Sequence, residues 1–114
     1  MAKSWSQEMA IQFCVLVEEI APQFGAHVAL TGGCLYKAEF NRKDCDIVLY
    51  RIRQKSIDDV GLLAALQEKL GVEVTKRVNN WLTKAKWNDR NIDIFWPEEG
   101  NDTTIWDEGG YDVE

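Results

Sequence analysis

Thr31-Gly32-Gly33-Cys34-Leu35-Tyr36, followed by Asp44-Cys45-Asp46-Ile47-Val48, is the stretch on which the fold turns. Val28-Ala29-Leu30 leads into it as a short apolar strand, and the two glycines break that strand with a turn. Residues 34–40 read as a short helix or irregular chain. A second strand is expected from Asp44 to Tyr50, approached through the polar Asn41, Arg42 and Lys43. Side chains two apart on a strand share a face. Asp44 and Asp46 therefore project together, while Cys45, Ile47 and Leu49 point into a core. Two carboxylates side by side repel unless a cation lies between them or both reach water, and hard divalent cations such as Mg²⁺ favour carboxylate oxygens.

Ile92-Asp93-Ile94-Phe95 repeats the pattern downstream, with one acid between two isoleucines. On a neighbouring strand Asp93 would complete a three-carboxylate cluster, which suits phosphoryl transfer with two metal ions. Glycine allows the backbone to approach a phosphate closely. A helix starting at Cys34 would aim free N–H groups at it, and Lys37, Arg42 and Lys43 are close enough in sequence to add positive charge.

Further out, Trp5, Met9, Phe13, Leu16, Val17 and Ile20 recur at helical spacing, predicting a helix over about residues 5–21. Ser4 is its expected N-cap with Gln7 at the capping-box position, and Pro22 ends it. A second helix is expected from Ser56, with Asp59 at the capping-box position, an apolar stripe of Ile57, Val60, Leu63, Leu66 and Leu70, and Gly71 just past its end. Residues 72–78 read as a third strand. Residues 81–87 and 91–96 read as a hairpin turning at Asn88-Asp89-Arg90. Trp81, Thr83, Ala85 and Trp87 share one of its faces, and Leu82, Lys84 and Lys86 the other. The layout predicts an α+β fold, with residues 1–97 as one domain and 98–114 as an acidic tail expected to lack structure.

Leu30-Thr31-Gly32-Gly33, then ten residues (34–43), then Asp44-Cys45-Asp46-Ile47, with a third Asp on a later strand, resembles the signature of the polymerase-β-like nucleotidyltransferase superfamily. The resemblance spans residues 28–96 and is closest to the smallest, single-domain members. It implies a small mixed β-sheet with helices packed on one face. It matches Asp44 and Asp46 to the metal-binding pair, Asp93 to the third carboxylate, and Gly32 and Gly33 to the triphosphate turn. Mg²⁺ or Mn²⁺ would be the cofactor and an NTP such as ATP the donor substrate. The family usually has Ser or Thr after the two glycines. Here Cys34 stands in that place, a weaker donor. Larger members also carry a helical domain that holds the acceptor. This chain has none, which leaves the acceptor to a protein partner, to a second copy, or to neither.

Composition narrows the partners. The net charge of -6 argues against nonspecific nucleic-acid binding, which needs a basic footprint. Seven acids and no Lys or Arg follow Pro97, so the body is nearly neutral and the tail acidic. Trp106 and Tyr111 in that tail suit docking onto the body or onto a partner, and its acids would suit shielding the site. Cys14, Cys34 and Cys45 are odd in number and form no CxxC, which fits reduced thiols in a cytoplasmic protein. The first residues lack the apolar run of a signal peptide, and no stretch suits a membrane span. His27 reads as a boundary residue before a strand rather than a catalytic base. Two functions from different classes follow. One is an enzyme moving an NMP from an NTP to an acceptor hydroxyl. The other is an inactive nucleotide- or protein-binding module on the same fold. An acidic nucleic-acid mimic, acting through residues 98–114, has only charge behind it.

Overall fold

The computed structural model describes residues 2–37, 39–51 and 56–97. The expected acidic tail, with Trp106 and Tyr111, lies outside them. Helix α1 (Gln7–Glu18) is followed by a 3-10 turn (Ala21–Phe24), strand β1 (His27–Thr31), the short helix α2 (Gly33–Tyr36) and strand β2 (Asp44–Tyr50). Then come helix α3 (Asp59–Leu70) and strands β3 (Glu73–Asn79), β4 (Leu82–Trp87) and β5 (Arg90–Phe95).

Both long helices begin later than the sequence suggests. Ser6, not Ser4, caps α1, its hydroxyl accepting from the Met9 N–H at 3.2 Å. Trp5 is withdrawn from the helix into a two-way backbone bridge with Arg42. Asp58, not Ser56, caps α3 and accepts from the Gly61 N–H at 3.0 Å. That rotates the stripe: Leu62, Leu63, Ala65 and Leu66 are buried, while Val60 is 72% exposed. Gly71 ends the helix in the left-handed conformation at φ 78°, as its position predicts.

The five strands form one mixed sheet in the order β1-β2-β5-β4-β3. Only β2 and β5 run parallel. Cys45, Ile47 and Leu49 of β2, Ile92 and Ile94 of β5, and Thr83 and Ala85 of β4 are buried with Phe13 and Val17 of α1 and Leu62 and Leu66 of α3. The helices thus cover one face, as the resemblance implies. The alternate residues of β2, β5 and β4 lie on the open face.

Three of the five tryptophans are structural. Trp5 is fully buried, stacks on Trp87 at 5.9 Å and donates its indole N–H to the Asn91 carbonyl at 2.6 Å. Trp87 donates to the Leu70 carbonyl, and Trp96 to the buried Thr83 hydroxyl. Each of these indoles, fully buried at Trp5 and Trp96 and partly buried at Trp87, therefore finds an acceptor. Among the described residues, no helix is long and apolar enough to cross a membrane.

Candidate active site

Glycine chemistry builds the first wall. Gly32 follows β1 at φ 71° and ψ −154°, a conformation almost reserved to glycine. A Cβ there would overlap the Asp46 carboxylate, so the turn passes against that side chain only because position 32 lacks one. At Gly33 a Cβ would meet the Arg42 guanidinium, which lies over the turn.

Register builds the rest. Thr31 is opposite Asp46, Asp46 is opposite Asp93, and Asp93 is opposite Lys84. One row across the open face therefore reads Thr, Asp, Asp, Lys over four strands. Asp44 lies one step along β2 on the same face, opposite Asn91. The three acids of the sequence motif therefore occupy neighbouring positions on one face, at the end of the sheet where the glycine turn lies. An open cleft of about 390 Å³ is lined there by Gly33, Asn41, Arg42, Lys43, Asp44 and Asp46. A second cavity, about 450 Å³, lies between α1 and β1. It is mostly apolar, and two residues of its lining, Glu18 and His27, are paired with each other at 2.8 Å. The smaller cleft has the chemistry.

Gly32 and Asp93 are not among the residues lining that cleft, and two other expected contributors sit differently. Lys37 is exposed at the end of α2 and is not among the residues lining the cleft. The Cys34 thiol is 1% exposed and donates to the Asp44 carbonyl at 3.4 Å, turned inward rather than toward a phosphate. What Cys34 can offer the cleft is its backbone N–H, which in the first turn of a helix has no earlier carbonyl to bond. Burial pushes all three thiols up, Cys14 to about 11. All three are free, and a reactive thiolate at Cys34 is not what this environment favours.

The electrostatics are unbalanced at Asp46. Burial first, then the Asp93 and Asp44 carboxylates, push its carboxyl above the usual range, against a weaker pull from Lys84 and Arg42. A carboxylate held beside two others without full compensation is suited to a hard divalent cation. Lys84 answers part of that charge. Its ammonium donates to one oxygen of Asp93 at 2.9 Å, with Asp93 19% and Lys84 48% exposed. Among the described residues, no three acidic, His or Cys side chains converge closely enough to hold a metal ion as they stand. Sequence reasoning missed Lys84 as part of this cluster, seeing it only as a face-mate of Leu82 and Lys86. His27 opens β1 and is bound to Glu18, away from the acids.

No family model matches the sequence, and no curated protein does either. Solved structures do resemble it. A chain in the structure of the non canonical poly(A) polymerase complex GLD-2 – GLD-3 has a TM-score of 0.58 at 18% identity. The match covers 79% of this chain and 34% of that one, so this chain spans about a third of its neighbour's length. The architecture is that of the nucleotidyltransferase fold, a mixed sheet with helices on one face.

Proposed function

We propose that the chain is a metal-dependent nucleotidyltransferase that moves a nucleoside monophosphate from an NTP to an acceptor hydroxyl. The register of Asp46 against Asp93, beside a cleft lined by Gly33, Arg42 and Lys43, is the observation that carries this reading. Asp44, Asp46 and Asp93 would hold Mg²⁺ or Mn²⁺. When bound, the cation would offset the charge of the triphosphate and ease loss of the acceptor proton.

The chain's own residues do the positioning. Arg42 and Lys43 draw the triphosphate into the cleft, and the Gly32-Gly33 turn lets backbone N–H groups reach its oxygens. Asp93 orients the acceptor hydroxyl and takes part in removing its proton. The acceptor oxygen bonds to the α-phosphorus as the bond to the bridging oxygen breaks, and pyrophosphate leaves with the electron pair. The residues lining the cleft select no class of acceptor. Three free thiols, two of them buried, fit a cytoplasmic setting.

A nucleotide- or protein-binding module on the same fold is the second reading, favoured by the Lys84–Asp93 ion pair. Thermal unfolding separates the two. Each of the four NTPs, with and without Mg²⁺ or Mn²⁺, is tested on the wild type and on Asp44→Asn/Asp46→Asn. At a ligand concentration about 100 times Kd, binding adds about 2.7 kcal/mol. The transferase reading expects a metal-dependent upward shift with NTP that the double variant loses. A shift that is indifferent to metal supports the binding module, and no shift with any nucleotide removes the NTP from both readings.

A further inference from the structure

We propose that Lys84 is a built-in counter-cation of the acidic cluster: it holds Asp93 in the nucleotide-free protein and must release it before Asp93 can join Asp46 around a divalent cation. This rests on reading the cleft as a metal–triphosphate site, and it adds an order of events to that reading.

Three observations place the ammonium there. The β4–β5 register sets Lys84 directly opposite Asp93, so the pairing is built into the sheet and is not a chance meeting of surface side chains. The contact is short, 2.9 Å, and engages one carboxylate oxygen. Among the described residues, Lys84 is the cation paired with Asp93; Lys86 lies two residues along β4, opposite Asn91, and Lys43 lines the cleft with Asp44. Asp46 and Asp44 are of the wrong sign, Arg42 lies over Gly33, and Lys76 lies one strand beyond Lys84.

The consequence is competition. A cation approaching Asp46 and Asp93 competes with the ammonium that holds one oxygen of Asp93 and sits near that ammonium, which repels it. Metal alone therefore binds weakly. Phosphate oxygens arriving with the cation give the flexible, half-exposed Lys84 another partner, so metal and polyphosphate favour each other's binding. Lys84 acts here as a positioning residue, through Asp93.

The test is binding of Mn²⁺ alone, followed by electron paramagnetic resonance, on the full chain without nucleotide. Wild type, Lys84→Met, Lys84→Arg, Asp46→Asn and Lys84→Met/Asp46→Asn are compared, with circular dichroism to verify folding. We expect Lys84→Met to bind Mn²⁺ about tenfold more tightly or better, a difference of about 1.4 kcal/mol. Lys84→Arg keeps the charge and should stay near wild type, and the gain should vanish when Asp46→Asn is added. Adding inorganic triphosphate should tighten Mn²⁺ binding to the wild type more than to Lys84→Met. Equal Mn²⁺ affinity in wild type and Lys84→Met, with loss in Asp46→Asn, would keep the metal site and overturn the role of Lys84. Binding that is indifferent to Asp46→Asn as well would overturn both.

Discussion

At φ 71° and ψ −154°, Gly32 occupies backbone space in which L side chains are strained. The same position faces the Asp46 carboxylate so closely that a methyl group would overlap it. Gly33 differs, because its crowding comes from the far end of the flexible Arg42 side chain. Gly32→Ala should therefore destabilise the protein by about 1–3 kcal/mol, measured as a lower urea midpoint at unchanged m-value. Gly33→Ala should cost well under half as much, because Arg42 can swing aside. Equal losses at the two positions would mean that Asp46 does not constrain the turn. The Gly-Gly pair is legible in the sequence, but its two members do different jobs, and only the contacts of each reveal that.

The hairpin joining β4 and β5 settles which side chains share the acidic row. Its loop is two residues, Asn88 and Asp89, at φ 49° and 62°, and Arg90 already pairs with Trp87. Positive φ at both positions is the pattern of a type I′ turn, which matches the twist of a hairpin. The sequence reading puts Arg90 in the turn, which would pair Trp87 with Asn91 and bring Ala85, not Lys84, opposite Asp93. One residue of turn length thus decides whether the third acid meets a cation. Asn-Gly is the preferred I′ pair, so Asp89→Gly should stabilise the fold slightly: relief of the left-handed backbone at position 89, on the order of 1–2 kcal/mol, outweighs about 0.4–1 kcal/mol of added freedom in the unfolded chain. The gain would appear in equilibrium urea unfolding. A loss instead would show that the Asp89 side chain does something the backbone argument overlooks.

Across the whole molecule, the helix layer is tied to the free edge of the sheet by Glu18. Its carboxylate accepts from the Val28 N–H at 3.0 Å and pairs with His27 Nδ1 at 2.8 Å, joining α1 to β1. Burial pushes the Glu18 carboxyl up, but the hydrogen bonds from His27 and Val28 outweigh it and hold the value below the ordinary 4.5. The sign follows from linkage: an acid held low when folded binds fewer protons folded than unfolded. Its contribution is present above about pH 4.5, and it fades as pH falls through the lower folded value. The group is 44% exposed, so solvent screening keeps the effect small. Between pH 6 and pH 3, as order-of-magnitude bounds around the ordinary carboxylate range, the stability advantage of wild type over Glu18→Gln should shrink. A constant difference across that range would remove Glu18 from the acid-sensitive groups.

Much of this protein is legible in its local chemistry. Period-two alternation put Asp44 and Asp46 on one face and Cys45, Ile47 and Leu49 on the other, and the β2 bounds, Asp44–Tyr50, agree with it. Helical periodicity found α1 and α3, although competing caps at Ser6 and Asp58 moved their starts. Those signals are local because each depends on backbone geometry within a few residues. Pairing is not local. That Asp93 stands beside Asp46 follows from the parallel register of strands more than forty positions apart, and that Lys84 neutralises Asp93 follows from a two-residue turn. The inward rotation of Cys34 likewise depends on where Asp44 lies once the sheet has formed. The sequence by itself determined which residues are acidic, where the glycines break the chain and which faces are apolar. Tertiary structure decided which charges meet, because a strand's partner and register are chosen by packing and turn geometry across the whole sheet.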